Sequence, residues 1–230
     1  GGISIKPSKN MGEMKFDMCG AATVLGVIRA CAEQELPVTV HGLVPTAENM
    51  PSDRAVKPGD VVTGYHGKSV EILNTDAEGR LLLADALGYA SDELGEDLDL
   101  LLDFATLTGA CIKALGHQAA GLMGNDEALR EKLEEAGASP EEPVWSLPLW
   151  EEYSEQLESD VADVKNIGGK AGTITAGAFL REFVDEDAIG EWAHFDIAGT
   201  GWGMPEKSYR PSGGTGFGVH LIDEFLREEY

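Results

Sequence analysis

Short apolar runs that favour β-structure alternate with longer helical stretches along this 230-residue chain. The runs typical of strands are Val38–Val44, Ser69–Leu73, Leu98–Phe104 and Trp192–Ile197. The stretches with helical periodicity are Cys19–Gln34, Leu81–Ala90, Glu127–Ala136, Thr173–Val184 and Gly218–Glu229. Several of the strands are apolar on consecutive residues, which is typical of a sheet covered on both faces. The alternation therefore predicts an α/β sandwich with a largely parallel sheet, built as one domain.

The charge of the chain limits its partners. Asp and Glu number 41 against 17 Lys and Arg, which gives a formal charge of −24. Because such a surface repels phosphate groups and anionic lipids, we expect neither nucleic acid nor a membrane as a partner. The three scattered cysteines show neither a metal-binding spacing nor a disulfide framework, which favours a reducing, cytoplasmic compartment.

The segment between the second predicted strand and the next helix carries two acids and a basic residue at alternate positions. If its backbone is extended, Asp76, Glu78 and Arg80 project to one side, about 6.6 Å apart along the chain. Carboxylates so close repel one another, and a divalent cation removes the repulsion by binding both. The alternative is a solvated loop in which Asp76 caps the following helix.

A second pair of charged residues lies nearer the start of the chain. Lys6 sits in an extended segment with apolar flanks, where its ammonium group would be partly desolvated. Asp17 precedes the stretch Cys19–Gln34, which is apolar almost all round and is therefore predicted to be a buried helix. Asp17 is either the N-cap of that helix or a metal ligand held at a fixed position.

Together these segments resemble the leucyl (cytosol) aminopeptidases, a family of two-metal exopeptidases, over nearly the whole chain. The stretch Asn74–Arg80 and the following Leu81–Leu87 are similar to the signature of that family. The other similar segments, in the order of the family, are Gly1–Pro7, Met14–Ala22, Ala47–Pro51, Ala105–Ala110, Asp163–Gly169 and His194–Gly199.

The resemblance implies a zinc-peptidase-like, three-layer sandwich whose mixed, largely parallel central sheet is flanked by helices. It also implies two divalent ions, Zn²⁺ or Mn²⁺, that activate a water molecule. This water would hydrolyse the peptide bond after the N-terminal, leucine-like residue of a peptide. By position, the metal ligands are Asp17, Asp76 and Glu78, and the catalytic residues are Lys6 and Arg80, with a bicarbonate ion at Arg80. The residues implied to line the substrate pocket are Met14, Thr106, Leu107 and Gly109. His194 could support the site from behind the ligands.

This chain differs from the family pattern at its N-terminal end. The resemblance implies a further lysine and aspartate ligand shortly before Gly1, and a smaller N-terminal domain before them. We therefore expect residues 1–230 to be a catalytic domain truncated on its N-terminal side and impaired in metal binding, since affinity depends on the number of ligands. The resemblance implies a homohexamer for the complete protein.

Two other functions fit part of the pattern. One is a non-catalytic, regulatory protein on the same fold, although a purely structural role gains nothing from Lys6, Asp17 and the Asp76–Arg80 cluster. The other is a metal-dependent phosphoesterase, because paired carboxylates also serve phosphoryl transfer. A phosphoesterase would be expected to carry several basic groups for the phosphate, whereas the basic residues near these segments are Lys6, Lys15, Lys68 and Arg80.

Overall fold

The computed structural model describes residues 2–139, 141–206 and 212–230. The α-helices of the described residues are α1 Cys19–Gln34, α2 Gly79–Leu94, α3 Gly109–Leu115, α4 Glu127–Ala138, α5 Glu151–Ser154, α6 Gly172–Arg181 and α7 Val219–Glu229. The strands are β1 Val61–Thr63, β2 Ser69–Glu71, β3 Leu100–Ala105, β4 Ala120–Gly124, β5 Val144–Ser146, β6 Val164–Lys165 and β7 Glu191–Asp196. Short 3₁₀-helices lie at Met11–Phe16, Gly95–Asp97 and Glu155–Leu157. None of the described helices is long and apolar enough to cross a bilayer.

The chain divides into two compact units. Unit 1 comprises Gly1–Met14, Pro45–Leu101 and Pro148–Trp192, and unit 2 comprises Lys15–Val44, Leu102–Leu147 and Ala193–Tyr230. The prediction of one domain over residues 1–230 stays a prediction.

Unit 1 contains a small mixed sheet in the order β1-β2-β6, in which β2 pairs antiparallel with β1 and parallel with β6. Asp163 secures the start of β2, because its Oδ2 accepts from the backbone N–H of Ser69 at 2.7 Å and from its hydroxyl at 2.6 Å. Helix α6 packs against α2 and α5. Val70 and Ile72, each 1% exposed, form part of the core beside this sheet. This framework fixes the point at which β2 ends and the loop before α2 begins.

Unit 2 is built around the sheet in the order β3-β7-β4-β5, where β4 pairs antiparallel with β7 and parallel with β5. All five residues of β4 are buried. Helix α7 packs against α1 and α4, and it buries the stripe Leu221, Ile222, Phe225 and Leu226, which has the spacing of one helical face. Phe104 and Phe195 stack with ring centres 4.3 Å apart. Buried strands and amphipathic helices thus give unit 2 its own core.

The α/β class, with mixed sheets flanked by helices, is confirmed. Helix α1 has the predicted bounds, and the other predicted helices differ from the structure by a few residues at their ends. The strand predicted at Val38–Val44 is wrong, because in the described part of the chain no strand pairs with it and the side chains of Val40 and Val44 are exposed. The prediction that α1 is a buried helix is wrong for part of its surface: Cys19, Gly20, Thr23 and Cys31 are buried, but Leu25 is 60% exposed.

Candidate functional site

The loop between β2 and α2 folds as a turn. The carbonyl of Asn74 accepts from the N–H of Ala77 at 3.2 Å, and Glu78 already has helical dihedral angles as the N-cap of α2. The segment is therefore not extended, and the interpretation that depended on an extended backbone, with Asp76, Glu78 and Arg80 on one face, is wrong. The alternative in which Asp76 is the N-cap is wrong as well, because Glu78 holds that position, without a side-chain capping bond. Asp76 and Glu78 still lie within one tight turn.

The backbone of this turn is clamped by Asn166, whose side chain is fully buried. Its Oδ1 accepts from the N–H of Leu73 at 2.9 Å and of Asn74 at 3.2 Å. Its Nδ2 donates to the carbonyls of Asn74 at 2.7 Å and Ala77 at 3.4 Å. One amide thus uses both donors and both acceptor lone pairs on one loop. The conformation of the turn follows from this buried contact.

A second amide holds the other side of the same turn. Asn49 donates through Nδ2 to the carbonyl of Thr75 at 2.8 Å and to Oε2 of Glu78 at 2.5 Å. Ser4 exchanges two hydrogen bonds with Thr75, of 2.8 and 3.1 Å. The carboxylate of Glu78 is thereby oriented relative to the backbone of its own loop.

Three of the sequence-predicted site residues meet on unit 1. Nζ of Lys6 lies 3.3 Å from Oδ2 of Asp76 and 3.5 Å from Sδ of Met14. The Lys6 side chain is 39% exposed, in agreement with the expected partial desolvation. The lysine predicted to be catalytic is therefore in contact with one predicted metal ligand and with one residue predicted to line the substrate pocket.

Arg80 lies inside α2, with only 7% of its surface exposed. Its guanidinium carbon is 5.8 Å from the ring centre of Phe179, which packs in turn against Phe183 with ring centres 4.9 Å apart. A guanidinium over an aromatic face is held in place by the charge distribution of the ring. The packing of α2 against α6 therefore fixes the orientation of the Arg80 side chain, close in the sequence to Glu78.

On unit 2, Asp17 lies exposed between the 3₁₀-helix Met11–Phe16 and α1. The N-cap of α1 is Met18, so the capping alternative for Asp17 is wrong. Oδ1 of Asp17 accepts from the hydroxyl of Thr106 at 2.6 Å, which joins a predicted metal ligand to a residue predicted to line the substrate pocket. Unit 2 thus presents one exposed carboxylate beside the loop that leads into α3.

That loop, Thr106–Gly109, is held from beneath by a buried carboxylate. Oδ1 of Asp196 accepts from the N–H groups of Leu107, Thr108 and Ala198 at 3.2–3.3 Å, and Oδ2 accepts from the Thr108 hydroxyl at 2.5 Å. The Thr108 hydroxyl also accepts from the N–H of Cys111 and so caps α3. Burial raises the pKa of Asp196, against the lowering effects of His194 and of these hydrogen bonds. Gly109 opens onto free space, because a side-chain carbon there would meet no atom within 4 Å.

His194 lies fully buried in β7, beneath the same region. Its Nδ1 is 2.5 Å from Oδ1 of Asp103 in β3, and its charge lowers the pKa of Asp196. The contact with Asp103 gives His194 a place in the core of unit 2. Support of the metal ligands by His194 stays a prediction.

The carboxylates suit a divalent cation by their chemistry. Asp76 and Glu78 supply oxygen donors from a single turn whose conformation is fixed by Asn166 and Asn49, and hard cations prefer oxygen donors. Across residues 2–139, 141–206 and 212–230, no group of three or more His, Cys, Asp or Glu side chains is gathered for one metal ion. The residues of unit 1 therefore fit a cation bound by two carboxylates, while Asp17 stands in unit 2.

Sequence reasoning missed three residues that shape these loops: Asn49, Asn166 and Asp196. Each lies in a segment that resembles the aminopeptidase family, within Ala47–Pro51, Asp163–Gly169 and His194–Gly199. The resemblance was therefore the available signal, although it assigned no role to any of the three. Their roles follow from contacts with residues far away in the sequence.

The chain matches known proteins over its whole length. The model of the cytosol aminopeptidase family, catalytic domain, matches residues 1–222. Probable cytosol aminopeptidases of Chlorobium limicola and Cenarchaeum symbiosum are 54% and 51% identical over 99% of this chain, which covers 44% and 46% of their lengths. The crystal structure of the cytosol aminopeptidase from Coxiella burnetii, 43% identical, matches with a TM-score of 0.91 over all of this chain and 49% of that one. The chain thus spans less than half the length of the curated relatives, and it belongs to the cytosol aminopeptidase family.

Proposed function

We propose that the protein carrying this chain is a metal-dependent aminopeptidase that removes an apolar, leucine-like residue from the N-terminus of peptides. The observation that carries the proposal is the contact of Lys6 with both Asp76 and Met14, beside Glu78 on the same turn. It brings a cationic group, a carboxylate ligand and an apolar wall into one place. Membership of the cytosol aminopeptidase family supports the same activity.

Asp76 and Glu78, with Asp17, would hold two divalent ions, Zn²⁺ or Mn²⁺. When bound, such ions lower the pKa of a water molecule and polarise the carbonyl of the scissile peptide bond. The contribution of the chain is to hold its carboxylates in fixed directions before any cation arrives. Asn49 and Asn166 do this for the turn of unit 1, and Thr106 does it for Asp17.

Lys6 and Arg80 would act on the negative charge that develops during hydrolysis. Lys6 places a mobile ammonium group 3.3 Å from Asp76, where it can turn to donate to the oxyanion of the substrate. Arg80 offers a planar, immobilised donor fork, which suits a small bidentate anion such as bicarbonate. Arg80 would hold this bicarbonate ion, which would supply a base for the attacking water.

The preference for an apolar first residue would come from Met14 and from the loop that begins α3. Thr106, Leu107 and Gly109 lie on that loop, and the open space at Gly109 leaves room for a substrate side chain. The names of the relatives support a cytoplasmic location. We further propose a homohexamer of the complete protein, on the family resemblance alone.

An assay on two substrates tests the proposal with a matched pair of variants. The full-length protein with excess Mn²⁺ should hydrolyse Leu-p-nitroanilide but not p-nitrophenyl phosphate. Lys6→Met should lower kcat by about 10²–10³-fold, because it removes a donor to the oxyanion. Lys57→Met removes another lysine that contacts an aspartate, Asp60 at 2.9 Å, and should stay within about twofold of the wild type because that pair is exposed.

Three results would overturn the proposal. Hydrolysis of the phosphate ester alone would favour the phosphoesterase, and hydrolysis of neither substrate would favour a regulatory protein. Equal kcat values for the Lys6→Met and Lys57→Met variants would show that Lys6 does not stabilise the oxyanion.

A further inference from the structure

The cysteines of this chain are poor targets for oxidants. Cys19, Cys31 and Cys111 are free thiols that are only 7%, 8% and 0% exposed. Burial also raises the pKa of Cys111 to about 12. Oxidants react with thiols that are both accessible and deprotonated, so these buried side chains are protected. The thioether sulfur of an accessible methionine needs no deprotonation, and it is therefore the sulfur group that remains open to oxidation.

Met14 combines an accessible position with a charged neighbour. It is half-buried, and none of the residues of its 3₁₀-helix, Met11–Phe16, is buried. Its Sδ accepts from Nζ of Lys6 at 3.5 Å, and the same Nζ lies 3.3 Å from Oδ2 of Asp76. Because a thioether is a weak acceptor, its contact with Lys6 leaves the ammonium group able to turn towards another partner.

Oxidation of Met14 by a peroxide would change this contact. The sulfur lone pair attacks one peroxide oxygen, and an S–O bond forms as the O–O bond breaks. The hydroxide that leaves takes the proton of the transferred oxygen and becomes water, so the sulfur is oxidised by two electrons and the peroxide is reduced. The product is a polar sulfoxide, whose oxygen accepts hydrogen bonds far better than the thioether sulfur does. This oxygen is attached to the sulfur that Lys6 already contacts.

We propose that Met14 is a reversible oxidation site at which a peroxide inhibits the enzyme, because the sulfoxide oxygen binds the Lys6 ammonium group in place of the substrate. The inference rests on the proposed function, in which Lys6 stabilises the oxyanion. The same oxygen makes an apolar wall of the pocket polar, which disfavours a leucine-like side chain. A methionine sulfoxide reductase reverses the change, as a thiol reductant takes up the oxygen as water and becomes a disulfide.

Treatment of the full-length protein with hydrogen peroxide tests the proposal. The metal is removed with a chelator before the treatment, and Mn²⁺ is restored afterwards, so that the peroxide acts on the protein alone. Mass spectrometry of peptides measures the oxygen gained at Met14 and at Met50, which is 67% exposed. The values of kcat and KM are then measured on Leu-p-nitroanilide.

Three variants accompany the wild type, each compared with its own untreated sample. Met14→Leu keeps an apolar side chain of similar volume but cannot form a sulfoxide. Met14→Gln places an amide oxygen near the position of the sulfoxide oxygen, without any oxidant. Met50→Leu is the control for oxidation of an exposed methionine elsewhere.

We expect peroxide to lower kcat of the wild type and of Met50→Leu by about 10–100-fold, which is less than the complete removal of an oxyanion donor costs. KM should rise as well, since the pocket wall becomes polar. Reductases for both sulfoxide stereoisomers should restore the activity as Met14 loses its added oxygen. Met14→Leu should keep the activity of its untreated sample, and Met14→Gln should show the lowered kcat without peroxide.

Three results would overturn the inference and leave the proposed function in place. The first is a fully oxidised Met14 with unchanged kcat and KM. The second is an equal loss of activity in Met14→Leu, which would assign the inhibition to another residue. The third is a Met14 that gains no oxygen under conditions that oxidise Met50. If the untreated wild type does not hydrolyse Leu-p-nitroanilide, the proposed function itself is wrong, and the inference about Met14 falls with it.

Discussion

Two loops of the molecule each connect a strand region to the helix that follows: the turn with Asp76 and Glu78 in unit 1, and Thr106–Gly109 in unit 2. They differ in the charge of the side chains that hold their backbones. The first is fixed by two neutral amides, Asn166 on its backbone and Asn49 on its carbonyl and carboxylate. The second is fixed by the buried carboxylate of Asp196, which accepts hydrogen bonds from three N–H groups and a hydroxyl.

This difference follows from what each loop carries. A carboxylate placed beneath the turn of unit 1 would repel Asp76 and Glu78 and would compete for any cation that they bind. Neutral amides fix the same backbone and leave the negative charge of the turn intact. The Thr106–Gly109 loop has no acidic residue of its own, so a buried carboxylate can hold its N–H groups without such a conflict. In both loops, the charge of the side chain that holds the backbone is thus compatible with the charge of the loop itself.

The largest expected effect comes from the amide clamp of unit 1. Asn166→Ala removes four hydrogen bonds and leaves backbone groups of Leu73, Asn74 and Ala77 without these partners, at a cost of about 3–5 kcal/mol in the free energy of unfolding. Urea denaturation measures it. Asn10→Gly, at an exposed position with φ of 64°, should change the stability by less than about 0.5 kcal/mol. A loss in Asn166→Ala no larger than in this control would show that the clamp does not hold the turn.

A smaller effect, with a distinctive pH dependence, is expected from Asp196→Asn. Because burial raises the folded-state pKa of Asp196, its contribution to stability is fully present below its unfolded pKa and is lost as the pH rises through the folded pKa. An amide can accept the same N–H bonds and donate to Thr108, so the variant should lie within about 1 kcal/mol of the wild type at pH 5. Its relative stability should then improve as the pH rises, as measured by thermal unfolding from pH 4 to 8.

Asp163→Asn provides a control in which the pH dependence of stability has the opposite sign. Hydrogen bonds from Ser69 lower the folded-state pKa of Asp163, so its contribution is present above the unfolded pKa and is lost as the pH falls through the folded value. The variant should therefore be less stable than the wild type at neutral pH, and the difference should vanish in acid. Parallel pH profiles for wild type and Asp196→Asn would contradict the assigned cost of the buried charge.

The sequence predicts the elements with strong periodicity and misses those defined by their neighbours. Helix α1 was predicted with its observed bounds because its apolar spacing is continuous. Strand β4 was missed, since its sequence of two glycines and three other small or apolar residues becomes a strand only by pairing with β5 and β7. Val38–Val44 shows the reverse case, a strand-like pattern without a pairing strand in the described part of the chain.

The candidate site shows the same division. The residues that carry charge, Lys6, Asp17, Asp76, Glu78 and Arg80, could be singled out from residue type and family resemblance. The residues that hold them could not, because Asn49 and Asn166 act on a turn that lies 29 and 92 positions away in the chain. The conformation of that turn could not be predicted either, since the four hydrogen bonds of Asn166 fix it and no local pattern reveals them.

Anomalous diffraction from crystals of the full-length protein grown with Mn²⁺ tests most directly whether the turn of unit 1 binds metal. We predict a manganese peak within coordination distance of a carboxylate oxygen of Asp76 and of a carboxylate oxygen of Glu78. A fully occupied manganese peak elsewhere in the protein, with both carboxylates bonded only to protein groups or water, would contradict the account.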